Sequence, residues 1–266
     1  RKFCLLAQTY HPNTVPVGSE DRLHKDRDAC GPAQSAGKGS PMLLEGKTAL
    51  VFGAGGHLGR HVVARLEEEG ANVFASSRHG RDDLPGLAIV DATDNDAVDA
   101  YVDGVADTAG SIDIVINMSG VAPDLYNHGK PAHEVSLEHF LTPFAVDTAA
   151  QFITAKSAFR HMSKQGSGVV ILNTSTLAKV GSAWSAPLTA SHAATEGLMR
   201  SLAHEYGSAG VRVLGVRSEA MPESPTIAYT FSTMGAQMGL GFEEMEGFVG
   251  QNQTAPKKLP HAPDTP

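Results

Sequence analysis

The chain has few of the residues that stabilise secreted proteins or cross membranes. It contains only two cysteines, Cys4 and Cys30, so no disulfide framework supports the region that carries the regular patterns. No apolar run approaches the ~18 residues of a membrane-spanning helix. The apolar stretch at residues 3–7 is shorter than the ~7–15 residues of a signal-peptide core. We therefore expect a protein of the reducing cytoplasm, with no membrane partner.

Positive charge is also scarce. The 266 residues include 21 Lys and Arg against 29 Asp and Glu, which gives a net charge of −8. An acidic chain without a basic cluster is a poor match for nucleic acid or an anionic lipid surface. The length fits one α/β domain with a sizeable core. The composition thus favours a small-molecule substrate and no nucleic-acid partner.

A glycine-rich turn between a predicted strand and a predicted helix is the strongest local signal. Residues 49–52 form a short apolar run, and helical spacing follows until a stop at Gly70. In a dinucleotide fingerprint, Gly53 would allow the sharp turn, Gly56 the close approach of a pyrophosphate, and Gly59 the close packing of helix on strand. The turn residues expected to contact the cofactor are Gly53, Gly55, Gly56, His57, Leu58 and Gly59.

Further apolar runs alternate with helical patterns along the rest of the chain. This alternation predicts a doubly wound parallel sheet with helices on both faces, a Rossmann-like three-layer α/β/α fold. We expect the domain to span residues 42–250, with a helix break near Pro143 and methionine-rich helices covering the site after Pro222. Residues 1–41 are expected to be disordered or loosely packed, the alternative being an arm on a neighbouring subunit. Residues 251–266 read as a proline-rich tail.

Three motifs in the predicted order point to one family. Gly53-x-x-Gly56-x-x-Gly59 follows the first strand, Asp91 follows the third, and Asn117-Met118-Ser119-Gly120 follows the fourth. Residues 43–217 thereby resemble the short-chain dehydrogenase/reductases. The resemblance implies an oxidoreductase acting on a carbonyl or alcohol group of a small molecule. It also implies cofactor contacts at Asp91, which would hold the adenine, and at Asn117, Ser119 and Gly120.

The end of the second strand favours NADP(H) over NAD(H). An acidic residue there would accept the ribose hydroxyls of NAD and repel a 2′-phosphate. Ser77 occupies this position and Arg78 follows it. A guanidinium can bind the 2′-phosphate through charge-assisted hydrogen bonds. The alternative is that Arg78 is an ordinary solvated side chain.

The resemblance breaks down at the catalytic residues. Ser175 matches the family's Ser, but Leu188 stands at the Tyr position, His192 at the Lys position and Asp147 at the Asn position. Leu188 cannot transfer a proton, so the usual mechanism cannot operate. With an unperturbed pKa of ~6.5, His192 is expected to be the acid. Asp147 would orient it and favour its charged form, and Ser175 would hold the substrate oxygen.

Two other functions stay open at this point. The chain could be a catalytically inactive nucleotide-binding homologue that serves as a scaffold or sensor. It could also be a lyase or hydrolase that uses Ser175, His192 and Asp147 without hydride transfer. His57 and His61 have the i, i+4 spacing of metal ligands, but no third ligand is evident and no metal is expected.

Assembly is expected from the resemblance. In this family the two long helices beside the fifth and sixth strands form the contact between subunits, and an apolar stripe occurs on both helices here. We therefore expect a homodimer or homotetramer. The residues of the predicted interface are Phe152, Ala155, Phe159, Leu198 and Leu202.

Overall fold

The computed structural model describes residues 7–8, 42–84 and 86–252. Within them the strands form one seven-stranded sheet in the order β1-β7-β6-β5-β2-β3-β4. The strands are β1 (Ala7–Gln8), β2 (Thr48–Phe52), β3 (Asn72–Ser77), β4 (Ala88–Ile89), β5 (Ile114–Asn117), β6 (Gly168–Ser175) and β7 (Val211–Ser218). Neighbouring strands in the set β2 to β7 all pair in parallel. The strand order reverses between β2 and β5, which confirms the predicted doubly wound fold and places its crevice there.

Helices flank the sheet. They are α1 (His57–Glu68), α2 (Asn95–Ala109), α3 (Leu137–Pro143), α4 (Ala149–Gln165), α5 (Leu177–Val180), α6 (Ala186–Gly207), α7 (Pro225–Met238) and α8 (Phe242–Asn252). Two 3₁₀ turns, Pro123–Tyr126 and Ala132–Glu134, lie in the loop before α3. The carboxylate of Asp94 accepts hydrogen bonds from two backbone N–H groups at the start of α2, so Asp94 caps this helix.

The core lies on the central strands. Every residue of β2 is buried, as a parallel strand covered on both faces requires. Leu50, Phe52, Val115 and Leu172 belong to one buried apolar cluster. Removing such side chains from water supplies most of the free energy of folding. The core therefore fixes the strand ends that carry the site.

The helical segment around Pro143 does not break as expected. A π-helical turn, Phe144–Thr148, joins α3 to α4 without interruption. Pro143 has no N–H and its ring crowds the preceding turn, so a wider turn accommodates it. The Ser191 hydroxyl on α6 donates to the Pro143 carbonyl over 3.0 Å and also lies 3.0 Å from the Thr148 hydroxyl. These contacts attach the π-helical turn to α6.

Only part of the predicted leader and tail falls within the described residues. Ala7 and Gln8 pair antiparallel with Val216 and Gly215 of β7. The remainder of residues 1–41, and residues 253–266, lie outside the described part of the chain.

The methionine-rich region forms α7 and α8. Met234 and Met245 are buried with Phe231 and Val249 in a second apolar cluster, against which Trp184 packs. These two methionines therefore serve packing, and residues of both helices line the cavity at the crevice.

Much of the predicted subunit interface is instead core. Ala155, Phe159 and Leu202 are buried within the chain, and the Phe159 ring stacks on Tyr206 with 3.8 Å between the ring centroids. Assigning these three residues to a surface contact was wrong, because the apolar stripes of α4 and α6 face their own sheet. Phe152 differs, with 44% of its surface exposed.

Candidate active site

The glycine turn leaves no room for side chains at two positions. Gly53 has a φ of +71°, and a Cβ there would lie 2.5 Å from the backbone nitrogen of Ser119. A Cβ on Gly59 would lie 2.2 Å from the Gly53 carbonyl oxygen. Gly56 precedes α1, whose first N–H groups receive no side-chain cap. An uncapped helix start behind a bare glycine turn fits a cofactor pyrophosphate.

The segment after β3 meets this turn through Arg81 rather than Arg78. Arg81 donates to the Gly55 carbonyl oxygen over 3.2 Å and pairs with Asp83 at 2.8 Å. A Cβ on Gly55 would lie 2.8 Å from the Ser77 hydroxyl oxygen, so Ser77 also borders the turn. Arg78 is exposed. Sequence reasoning missed Arg81, although a third basic residue so close to the strand end was a usable signal.

The carboxylate of Asp91 has a fixed orientation. It accepts hydrogen bonds from the Thr93 backbone N–H at 2.9 Å and from the Thr93 hydroxyl at 2.7 Å. The Thr93 N–H is the main factor that lowers the pKa of Asp91, and the charge of Arg78 adds to it. Asp91 is therefore ionised at neutral pH, as a hydrogen-bond acceptor for an adenine amino group would be.

Asn117 points into the protein. Its amide donates to the Thr154 hydroxyl over 3.1 Å, and its side-chain oxygen accepts from the Ser119 N–H at 2.8 Å. Ser119 is the residue whose backbone touches Gly53. The Asn117 side chain thus fixes the turn at Ser119 and Gly120. In the predicted cofactor site, Asn117 would position this turn.

A cavity of about 200 Å³ lies at the carboxyl ends of β5, β6 and β7. The candidate catalytic residues Ser175, His192 and Asp147 all line it, together with Leu188. Ile227, Phe231 and Met234 of α7 line it as well. Its position outside the strand ends is where open α/β sheets bind ligands. The sequence motifs and the cavity therefore indicate the same site.

His192 does not have the environment expected of a charged acid. Within the described residues, its Nδ1 is buried and has no hydrogen-bond partner. Burial lowers the pKa of His192 to about 4, and the neighbouring Glu196 carboxylate only partly offsets that effect. His192 is consequently neutral at pH 7. The expectation of an imidazolium held in place by Asp147 is wrong.

Asp147 makes a different contact. Its Oδ1 accepts a hydrogen bond of 2.6 Å from the Val121 N–H, and the residue is only 5% exposed. Burial raises the pKa of Asp147 to about 7, despite the opposing effect of that hydrogen bond. The carboxyl group therefore holds a proton for much of the time at neutral pH, instead of being fully ionised.

Two residues of the loop after β5 form part of the cavity wall. Tyr126 and His128 are both buried, line the cavity and make an edge-to-face contact with ring centroids 5.6 Å apart. Burial lowers the pKa of His128 to about 4. Neither His128 nitrogen has a hydrogen-bond partner in the described part of the chain. Gln151 Oε1 and Asn173 Oδ1 are likewise unpartnered there, so the cavity wall offers several polar atoms to a ligand.

Within the described part of the chain, the cavity wall carries acidic but no permanently cationic side chains. Asp147 and Glu219 line it, and burial raises the pKa of Glu219. Among the described residues that form the wall there is no Lys or Arg. The family's Lys position, occupied by His192, thus has no cation in its place.

Two further observations concern the described residues only. They contain no group of three or more His, Cys, Asp or Glu side chains placed to hold a metal ion. They also contain no helix with the length and apolar character needed to cross a bilayer.

Comparison with known proteins places this geometry in context. The sequence profile of the short chain dehydrogenase family matches residues 47–225. A cis-4-hydroxycyclohexanecarboxylate dehydrogenase of Sinomonas cyclohexanicum is 30% identical, over 68% of this chain and 76% of its own. A D-threitol dehydrogenase of Mycolicibacterium smegmatis is 30% identical, over 70% and 72% respectively.

Solved structures show the same fold. An NAD⁺-bound xylitol dehydrogenase superposes with a TM-score of 0.73 at 21% identity, covering 82% of this chain and 88% of that one. A 3-ketoacyl-(acyl-carrier-protein) reductase from Brucella melitensis, complexed with NADH, gives a TM-score of 0.64 at 23% identity, covering 71% and 82%.

Proposed function

The chain belongs to the short-chain dehydrogenase/reductase family, and on that basis we propose that it is an NADP(H)-dependent oxidoreductase. Its substrate would be a small molecule with a carbonyl or alcohol group. The family binds a nicotinamide cofactor, which supplies or accepts the hydride when bound. What is particular to this chain is an active site without the usual Tyr and Lys.

The observation that carries the proposal is the continuity between the glycine turn and the cavity. Ser119 touches Gly53 through its backbone, and Ser119, Gly120 and Val121 then line the cavity. One short segment therefore borders both the predicted phosphate site and the candidate catalytic residues. A nucleotide on the turn would have a direct path for its far end to reach Ser175 and His192.

Ser175 and His192 are suited to holding the substrate oxygen. The Ser175 oxygen accepts a hydrogen bond of 3.2 Å from the Leu177 N–H, so its own proton is available to donate. A neutral His192 can donate one hydrogen bond as well, without carrying charge. Two neutral donors polarise a carbonyl but do not by themselves supply a proton at low cost.

NADP(H) is preferred in this proposal because the strand end lacks a carboxylate at Ser77 and has two guanidinium groups nearby. Arg81 already borders the glycine turn, and Arg78 is exposed and free to move toward a phosphate. Asp83 neutralises part of the charge of Arg81. The two arginines together support a 2′-phosphate more than a free 2′-hydroxyl.

The assay is direct. The full chain is incubated with NADPH and neutral ketones, quinones and aldehydes, and the loss of NADPH absorbance is followed; NADP⁺ with the matching alcohols tests the reverse direction. Turnover of a carbonyl compound is expected. Binding of NADPH without turnover of any of them would leave the nucleotide-binding scaffold as the better description. The Leu188 side chain in the cavity supports this second function, because it cannot transfer a proton.

The hydrolase or lyase alternative has less support. Such a triad needs a Ser–His and a His–Asp hydrogen bond. Within the described residues, Ser175 bonds to the Leu177 N–H, Asp147 bonds to the Val121 N–H, and His192 Nδ1 bonds to neither.

We extend the proposal to a cytoplasmic homodimer or homotetramer. The low cysteine content supports a reducing compartment. Phe152, with 44% of its surface exposed on α4, supports a contact between copies of the chain.

A further inference from the structure

We infer that Asp147 supplies the proton that the substrate oxygen gains on reduction and recovers it on oxidation, in place of the family's Tyr and Lys. This inference rests on the proposed function. It assigns to Asp147 a role that the corresponding Asn of the family cannot perform, since an amide carries no titrating proton.

The position of Asp147 is set by the backbone. The residue lies in the π-helical turn Phe144–Thr148, which hydroxyl groups attach to α6 at Pro143 and Thr148. Helix α6 carries Leu188 and His192, so the same attachment sets Asp147 opposite the two residues that replaced the Tyr and the Lys. All three line the cavity. π-Helical turns are frequent at functional sites because they re-aim a side chain.

The two carboxyl oxygens of Asp147 have different surroundings. Oδ1 accepts the 2.6 Å hydrogen bond from Val121 and lies against Gly120, 4.0 Å from where a Cβ on that glycine would be. Oδ2 makes no hydrogen bond in the described part of the chain. A carboxyl group with one oxygen fixed as an acceptor keeps the other to carry the proton. The fixed oxygen also sets the orientation of the acid.

The charges around Asp147 favour the protonated form. The titratable groups that share its cavity are His192 on α6, Tyr126 and His128 in the loop after β5, and Glu219 after β7. Both histidines are neutral at pH 7, and no Lys or Arg is present in the described wall. A buried carboxylate without a cation is costly, which agrees with a pKa of Asp147 near 7. That value suits an acid working at neutral pH.

The other groups of the cavity are weaker proton donors. Neutral His192 and Ser175 would have to become anions. Burial, followed by the charge of Asp147, raises the pKa of Tyr126 above its usual value. In the family the neighbouring Lys makes the Tyr acidic, and this cavity has no such cation. Asp147 can lose its proton and remain as an ordinary carboxylate.

The step balances with the reduced nicotinamide as the reductant. That cofactor would supply the hydride as one of its C–H bonds breaks and would itself be oxidised. The hydride's two electrons and hydrogen form a C–H bond on the carbonyl carbon, and the C=O π bond breaks. The O–H bond of the Asp147 carboxylic acid breaks, and a new O–H bond forms on the substrate oxygen. Asp147 is left as a carboxylate and regains a proton from water. Alcohol oxidation runs the same transfers in reverse.

The first readout needs neither cofactor nor turnover. Infrared difference spectra of the full chain against Asp147→Asn, recorded across pH 5–9, should show a carboxylic-acid C=O band that disappears as pH rises through about 7. Asp124→Asn is the matched control, because it removes an exposed carboxylate from the neighbouring loop. That variant should leave the band intact. Absence of the band in the wild-type protein at pH 6 would overturn the inference.

The second readout is kinetic. Asp147→Asn should lower the rate of carbonyl reduction by ~10²–10⁴-fold and remove the decline of rate with rising pH. Asp147→Glu, which keeps a carboxyl group, should recover part of the rate, and Asp124→Asn should match the wild type. Cooperative melting of Asp147→Asn, at or above the wild-type temperature, would establish that the variant folds. If the band titrates in the wild type but Asp147→Asn keeps the wild-type rate, the inference is overturned and the proposed function stands. A wild-type protein that turns over no carbonyl compound overturns the proposed function as well.

Discussion

The Arg81 guanidinium donates to the carbonyl oxygen of Gly55 over 3.2 Å, and it thereby joins the segment after β3 to the glycine turn. The same guanidinium forms an ion pair with Asp83. Arg81 thus contacts the glycine turn that is expected to bind the cofactor phosphates, whereas the sequence pattern favoured Arg78.

Cofactor selectivity should depend on both arginines. Arg81→Ala and Arg78→Ala are each expected to weaken NADP(H) binding by ~1–3 kcal/mol, the usual cost of losing a charged hydrogen-bonding partner, and to change NAD(H) binding little. Titration calorimetry with both cofactors measures this. Tighter binding of NAD(H) by the wild-type chain would contradict the proposed preference. An effect from Arg81→Ala alone would exclude Arg78 from the site.

Alanine substitutions at two glycines of the turn should have different effects, one on stability and the other on cofactor binding. Gly59→Ala places a Cβ against the Gly53 carbonyl oxygen and should destabilise the protein by ~1–3 kcal/mol, because backbone atoms cannot move aside easily. Gly56→Ala meets the same oxygen only at 3.3 Å and should fold nearly normally while binding NADP(H) more weakly. Urea denaturation and calorimetry distinguish the two. Equal stability of both variants would show that Gly59 is not a packing constraint.

Stability should fall in mild acid because of His192. Its folded-state pKa of about 4 lies below the unfolded value of 6.5, so the unfolded chain binds more protons between these two values. The contribution of His192 to the free energy of unfolding should therefore decrease as pH falls from 6.5 towards 4, so the wild type should lose stability relative to His192→Gln over this range. Denaturation at pH 5 and pH 7 measures the difference. An identical pH dependence in both proteins would mean that the ring is not buried as neutral imidazole.

The contribution of Asp147 to the pH dependence of stability should have the opposite sign. Its folded-state pKa of about 7 lies above its unfolded value of 3.8, so its contribution is complete below pH 3.8 and is lost as pH rises through 7. Asp147→Asn should consequently gain stability relative to the wild type as pH rises from about 4 to about 7, with little further change above pH 7. A stability difference independent of pH would argue against a protonated carboxyl group in the folded protein.

The lack of a Lys or Arg in the described cavity wall should disfavour anionic substrates. Asp147 and Glu219 line it, and no Lys or Arg does so within the described wall. A neutral ketone should therefore be reduced with a kcat/KM at least ~10-fold above that of a carboxylate analogue of the same size, a difference of about 1.4 kcal/mol. Steady-state assays of such a pair provide the measurement. A preference for the carboxylate would require a cation from outside the described residues.

Much of the fold and of the site was determined by the sequence. The order of strands and helices, the glycine turn and the cap at Asp94 all follow from local patterns, since side-chain period and turn chemistry act over a few residues. The resemblance likewise located Ser175, Leu188 and His192 at one cavity, because its motifs fix how far each residue lies along its strand or helix. The family match confirmed that assignment of fold.

The tertiary structure alone decided which groups carry charge and which face solvent. Both Asp147 and His192 have ordinary pKa values in an unfolded chain, and only burial in a cavity without a cation moves one up and the other down. Phe159 faces the core instead of a partner because α4 packs its apolar stripe onto the sheet. Arg81, in the segment after β3, contacts Gly55, which lies 26 residues earlier in the sequence. Desolvation and contacts distant in sequence depend on where the whole chain places each group, so no local pattern of residues contains them.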